Sequence, residues 1–507
     1  MAETATYTLK VDWDNDGDFL DAGEDISADR ISANIRRGFS SPLTRMAVVG
    51  RATFLLRNSA QSYSPPLEAG VLPSRAVQYS MTYDATEVVL FTGKVESIKP
   101  SFGQYRDRRC VLECVDDTAL LDIHEGDIAM QTGVYAPDLI AAVVAAVYTP
   151  GGTDYQSGIN FFPTSGDRWN WRAFDDAPRV RGPWESIRAS SKILDCCAAD
   201  WGRFFIAKDG DPTFHNRHHT ALDTTTELTI DDLMTGMSYQ KTSSTIHNAI
   251  DVTCTPRRIG QNLEVVGAIS QDSGPRIEGS DSREFTLRFR DPVNSEITVG
   301  GKDCVTPVAG TDYKCTSDES GEGDDKTGDV TCSATFYGDR AEIELTNADT
   351  APVYVQKLQV RAYPVRSQGE VTMSASDATS IAAYGKRKLA ISAPLMNTQA
   401  EALALAEYLL DVYKDPVDCV EGLTFQANRN ATLIAAARDL ELQDRVIVSE
   451  TQTGLSAVAG YIYSIQHTIT AAGRDHRVTL NLQTGYDPGT PFRLDDSTLE
   501  SGHVLIY

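Results

Sequence analysis

Both ends of this 507-residue chain are written in short runs of alternating apolar and polar residues set apart by Gly, Pro and Asp, which restricts them to sheets. In "TYTLKVDW", Tyr7, Leu9 and Val11 fall on one face; "RATFLLRN", "VVLFTGKVESIKP" and "RRCVLECVDD" follow it. Near the other end stand "CVEGLTFQA", "RVIVSETQ", "GYIYSIQHTIT" and "HRVTLNLQTG". Strands of this length at this spacing build small barrels or sandwiches. The two terminal β-regions are candidates for structural copies of one another, although their sequences do not show it.

Between them the period changes. "APDLIAAVVAAVYTP" (136–150) is apolar nearly all round and ends at a Pro, which predicts a short buried helix. "PWESIRASSKILDCCAADWG" predicts a second, with Trp184, Ile187, Ser191, Leu194, Ala198 and Trp201 on its face. Its Pro183 stands at the start and Gly202 where a C′ residue belongs. "RFFIAKDGDPTFHNR" reads as two strands around a turn. Strands return in "IHNAIDVTC", "EFTLRFR", "AEIELTN" and "VYVQKLQVRAYPV", interrupted by the acidic, Gly-rich loop Thr316–Asp329. The strongest helix signal is "TQAEALALAEYLLDVYKDP", where Thr398 and Glu401 form a capping box and Ala402, Leu405, Ala406, Leu409, Val412 and Tyr413 line one face.

These signals predict a mainly β, multi-domain chain with α+β parts. The expected units are a β-barrel-like domain at 1–122, an α+β domain at 123–245, and a β-rich domain at 246–370 with a sandwich-like insert at 275–350. A helix with a second β-barrel-like domain at 371–487 and an extended arm at 488–507 complete the division.

Composition removes several function classes. Lys and Arg number 46 against 71 Asp and Glu, a formal charge of −25, which argues against a surface that grips nucleic acid. No run approaches the roughly 18 to 20 apolar residues that span a bilayer, so no stable membrane insertion is expected. The N-terminus lacks the pattern of a secretory signal, and synthesis and folding in a cytoplasm are the expectation. The nine cysteines form no paired knuckle, and reduced thiols are expected. There is no GxSxG elbow, Walker A sequence or GxGxxG after a strand, and no enzymatic activity is expected.

Three local patterns could hold a ligand. In "DWDNDGDFLDAGED", Asp12, Asp14, Asp16 and Asp18 occupy positions one, three, five and seven, with Gly17 at six. That is the front half of a calcium loop, a candidate structural Ca²⁺ site. An EF-hand needs a bidentate Glu at position twelve; Gly23 stands there, with Glu24 and Asp25 one and two places late. The alternative is a hydrated Asp/Gly hairpin. His215, His218 and His219 cluster in "HNRHH", but without a carboxylate or cysteine set they read as a surface loop. Trp169, Trp171 and Phe174 suit a sugar platform, a subunit contact or simple packing.

Taken together, several segments resemble the minor tail proteins of long-tailed bacteriophages, of the baseplate-hub or tail-tip class. The opening "VDWDNDGDFLDAGEDIS" carries the resemblance, with "RRGFSSPLTRMAVVGRATFLLRNSAQSYSPP", "LFTGKVESIKP" and "RRCVLECVDD". So do "ESIRASSKILDCCAADWGRFFIAKDGDPTF", "IHNAIDVTC" and the stretch from "DATSIAAYGKRKLAISAPLMNTQAEALALAEYLLDVYKDP" through "LELQDRVIVSE" and "YIYSIQHTIT" to "FRLDDSTLESGHVLIY". These segments are collinear and omit roughly residues 275 to 350. One departure is Gln443 in "LQDRV", where relatives tend to have Gly, which puts the local turn in doubt. The resemblance implies a homotrimer whose two barrel-like domains per chain alternate into a pseudo-sixfold hub ring. It also implies neighbours on the tail axis: a distal tail or tube protein, a tape measure protein and other tip proteins, with DNA only in transit through the lumen. A hexameric distal tail ring, and a glycan-binding or wall-degrading tip protein, are the competing readings.

Overall fold

A computed structural model describes residues 3–103, 107–126, 136–148, 160–161, 187–217, 219–222, 225–269 and 274–484. The chain is mainly β, with several sheets and, among the described residues, five buried apolar clusters. The aromatic stretch Trp169–Phe174, His218 and the 488–507 arm lie outside the described residues.

The alternation at the two chain ends builds one twelve-stranded sheet. Its first half holds β1 (Thr6–Val11), β2 (Arg30–Gly38), β3 (Val48–Arg57), β4 (Ala76–Tyr83), β5 (Thr86–Ser101) and β6 (Arg109–Val115). Its second half holds β7 (Leu228–Asp231), β8 (Gly236–Gln240), β9 (Cys419–Gln426), β10 (Arg445–Glu450), β11 (Leu455–Thr470) and β12 (Asp475–Thr484). The ladder runs β1-β4-β5-β6-β3-β2 in the first half and β7-β10-β11-β12-β9-β8 in the second. Each strand thus has a counterpart six numbers on. The halves share one six-stranded order, with the outer strand reversed in the second.

The correspondence extends to single residues. Val77 opposes Gly93 across β4–β5, and Val446 opposes Gly460 across β10–β11. Both fifth strands then bulge at one residue, Glu96 before the Ser97–Glu113 pair and Tyr463 before the Ser464–Asn481 pair. In the β2–β3 and β8–β9 pairs, the third strand carries one extra residue at matching places: Arg36 to Gly38 face Arg51 to Val48, and Ser238 to Gln240 face Gly422 to Cys419. Against the sixth strand the third slides by two residues, since Phe54 opposes Leu112 where Leu423 opposes Leu480. A two-residue slide keeps every side chain on its face, so Phe54 and Phe425 both remain fully buried.

Each half encloses its own core, one around Leu9, Phe54, Tyr79 and Phe91, the other around Leu423, Phe425, Val446 and Leu480. No ladder among the described residues closes either half into a complete barrel. They meet where β2 pairs antiparallel with β11, from Ala33–Ile469 to Gly38–Ser464.

The helical unit packs α1 (Ala136–Tyr148) on α2 (Ala189–Asp200) around Ile140, Val143, Val144, Ile193, Cys196 and Cys197. Here the expected face of the second helix is corrected. Ile187 and Arg188 are a strand, Leu194 is exposed, and the buried face is led by Ile193 and the two cysteines. The left-handed residue that ends α2 is Trp201, at φ 60°, not Gly202. Gly202 is required for a different reason, because a Cβ there would lie 2.4 Å from the Phe214 ring and 2.7 Å from the His215 carbonyl.

The capped helix forms as expected. In α3 (Gln399–Tyr413) the Thr398–Glu401 capping box is present in both directions, and Ala402, Leu405, Ala406 and Leu409 are buried against strands Ala249–Cys254, Val371–Ser376 and Lys388–Ala393. The insert is sandwich-like: the long strand Val353–Ser367 carries one sheet, strands Ser282–Arg288, Val330–Phe336 and Arg340–Asn347 the other, with one core between them.

Candidate functional site

The junction between the halves is tightly packed. Gly38 sits at φ 125° with its Cα side against β11; a Cβ would come 2.3 Å from the Tyr463 carbonyl oxygen and 2.6 Å from the Ser464 Cα. Only glycine permits that approach. Beside it the buried Arg37 donates to Glu441 at 2.8 Å and to the Ile206 carbonyl at 3.3 Å. Glu441 also accepts from the Lys208 amide, while the Lys208 ammonium caps the carbonyls of Arg438, Asp439 and Leu440 at the end of α4 (Ala431–Asp439). Burial works against the Glu441 carboxylate, yet Arg37 and Lys208 hold its pKa below the usual range.

A second polar chain crosses the junction on its other side. The Tyr7 hydroxyl meets His476 Nδ1 at 2.9 Å, and His476 Nε2 meets His467 Nδ1 at 3.0 Å. Burial holds both imidazoles neutral, with the His476 pKa lowered to about 3. Asn428 ties the same place together, accepting from the His476 and Glu3 amides and donating to the Glu3 carbonyl. Sequence reading did not find this chain, because its members are spread over more than 400 positions.

Gln443 resolves the doubtful turn. It adopts φ 74°, the conformation that favours Gly, and is buried. Its side chain accepts from Arg203 at 2.9 Å and donates to the Ile462 carbonyl at 3.0 Å. Two buried hydrogen bonds offset a backbone strain of about 1–2 kcal/mol.

The acidic loop sits at the far end of β1. Carboxylate oxygens of Asp12, Asp14, Asp16 and Glu24 lie within 4.8 Å of one another. Asp12 and Glu24 are buried, Asp14 and Asp16 exposed. Asp12 accepts from the amides of Asn15 and Gly17, and the positive φ of Asn15, Gly17 and Gly23 folds the chain back on itself. The four-aspartate expectation is therefore corrected in one member. Asp18 turns away to accept from the Leu20 amide, and Glu24 takes the fourth place. Gly23 at φ 101° delivers Glu24 there, a turn that fixed EF-hand spacing does not anticipate.

The His215 and His219 rings lie 3.9 Å apart, and burial pushes the His215 pKa well down. Neither belongs to a group of His, Cys, Asp or Glu spaced to share an ion among the described residues.

No family model matches the chain, and no curated protein matches it. Among solved structures, it aligns with a tail protein from Neisseria meningitidis over 95% of this chain and 96% of that one, at 8% identity and TM-score 0.48. A 43 kDa tail protein of prophage MuSo2 from Shewanella oneidensis aligns over 95% and 99%, at 11% identity and TM-score 0.44. A prophage tail protein from Listeria monocytogenes aligns over 95% of each chain, at 9% identity and TM-score 0.41.

Proposed function

We propose that this chain is a structural, non-catalytic component of a bacteriophage-type tail, and that three copies close into a hub ring at its tip. The observation that carries this reading is the duplicated six-stranded unit with one junction used and one left over. Within the chain, β2 of the first unit pairs with the outer stretch of β11 in the second. The counterparts of those two edges are β8 and residues 97–101 of β5. Among the described residues neither has a ladder partner on that side. Pairing β8 of one copy with β5 of the next would repeat the internal junction between subunits. Such a contact is heterologous, and it makes a closed ring when the rotation allows. Three copies then supply six units, matching the sixfold symmetry of a tail tube or distal ring above and threefold tip proteins below.

The collinear resemblance to tail-tip hub proteins supports the same assignment. A charge of −25 suits a lumen that DNA crosses without sticking.

The test uses the junction's own register. By correspondence with Arg36–Gln466, Ser238 of one copy would face Lys99 of the next. Chains carrying both Ser238→Cys and Lys99→Cys should cross-link on oxidation into trimers, while either single variant stays unlinked. Light scattering should give three chains. Six would favour the distal ring; release of muropeptides or glycan binding would favour the wall-directed alternative. A chain that neither oligomerises nor cross-links, alone or with tail-tube protein, would end the ring reading.

A further inference from the structure

We propose that Asp12, Asp14, Asp16 and Glu24 bind one Ca²⁺ ion that clamps the connection between β1 and β2. Four carboxylates converge within 4.8 Å with no lysine or arginine in an ion pair with any of them among the described residues. Convergence alone is common on acidic surfaces. What distinguishes this cluster is Glu24. The residue is only 3% exposed, and its Oε2 accepts from the Asp21 amide at 3.1 Å. Its Oε1 is buried with no hydrogen-bond partner. A carboxylate oxygen sealed from water and left without a donor is costly, and an ion is the partner that removes the cost.

The chemistry selects the ion. All four donors are hard oxygens, which excludes metals that favour thiolate or imidazole. An irregular set of four carboxylates, two buried and two exposed, suits Ca²⁺, which takes about six to eight oxygens in flexible geometry; Mg²⁺ demands a near-ideal octahedral shell. Asp14 and Asp16 are exposed, which leaves an entry path and room for water ligands. The ligands come from both ends of the 12–24 loop, whose backbone is already closed by the Val11 amide donating to the Glu24 carbonyl at 3.0 Å. The ion would fix that closure rather than take part in a reaction.

Trp13, beside Asp12, makes the site visible through sensitised Tb³⁺ luminescence. The full chain is stripped with EDTA, loaded with Tb³⁺, and titrated with CaCl₂ or MgCl₂, with calorimetry in parallel. One site is expected, with Ca²⁺ displacing Tb³⁺ at least tenfold more effectively than Mg²⁺. Glu24→Gln, of the same shape, should weaken Ca²⁺ at least tenfold, and so should Asp14→Asn, which is exposed and leaves folding intact. Asp18→Asn should bind within twofold of the parent chain. No Ca²⁺ binding at millimolar concentration would overturn the site. An Asp18→Asn loss equal to that of Glu24→Gln, or a Glu24→Gln protein that folds and binds normally, would overturn the ligand set.

Discussion

The two halves of the terminal sheet share strand order, both bulges and the glycine opposite the fourth strand, yet they differ in how each is begun and plugged. In the first half β1 runs antiparallel to β4 and reaches β2 through residues 12–29, which carry the acidic loop. In the second half β7 runs parallel to β10 and reaches β8 through residues 232–235. Reversing one outer strand changes where the chain emerges, and so the length of connection it needs. Between the third and fourth strands, the first half has a turn-rich stretch, residues 58–75, and the second has α4. That helix serves both cores: Leu433, Ala436 and Ala437 enter the second, while Ile434 enters the first. Strands two to six, which make the junction, match closely. The parts that differ also reach across it, β1 through Tyr7 to His476 and α4 through Ile434.

The largest effects should come from the paired phenylalanines. Phe54→Ala and Phe425→Ala each remove a fully buried ring, and each should cost about 3–5 kcal/mol. Because β2–β11 and α4 couple the cores, both variants should lower one shared calorimetric transition. If Phe425→Ala melts a separate transition and leaves a second unmoved, the halves are independent domains that merely touch.

A smaller effect separates the used junction from its unused counterpart. Gly38→Ala drives a Cβ into the backbone of Tyr463 and Ser464 and should cost about 2–3 kcal/mol in denaturant unfolding of the isolated chain. Gln240→Ala, at the matching position on β8, should change stability by no more than about 0.5 kcal/mol. Equal effects at both sites would mean that β8 is already engaged within the chain.

Much of this duplication lay in the sequence without being readable there. Alternation identified the strands, with Tyr7, Leu9 and Val11 buried as expected, and the capping box fixed the start of α3. The repeat itself survives as Gly93-Lys94-Val95-Glu96-Ser97-Ile98 against Gly460-Tyr461-Ile462-Tyr463-Ser464-Ile465, and as Thr53-Phe54 against Thr424-Phe425. Such traces are too short to stand out until the ladders align them. Pairing order is a long-range property, and local period does not encode it. The buried face of α2 departs from the three- and four-residue stepping through Ser191, Leu194 and Ala198, because tertiary packing buries Ile193, Cys196 and Cys197 instead. In the acidic loop the aspartate spacing was legible. The entry of Glu24 depends on backbone turns at Asn15, Gly17 and Gly23 that spacing alone does not give.

A pH-dependent effect concerns one buried carboxyl in each half. Asp116, just after β6, is raised to about 6 by burial, against the hydrogen bonds of Thr118 and the pull of Arg37. Asp444, just before β10, is raised to about 7 by burial, reinforced by Glu441 and Glu227. An acid whose folded pKa exceeds its unfolded value binds its proton more tightly when folded. Its contribution is therefore complete below about pH 4 and is lost as pH rises through the folded pKa. Asp444 should withdraw stability over about pH 4 to 7 and Asp116 over about pH 4 to 6, each by at most about 1.4 kcal/mol per pH unit. Melting temperatures measured across that window should fall more steeply for the parent chain than for Asp444→Asn, with a narrower difference for Asp116→Asn. Parallel profiles for parent and variant would show that the group stays charged in the folded protein, with water reaching it. A difference in only one half would place the wetter pocket there, and would mark a further way in which the two copies have diverged while keeping their strands.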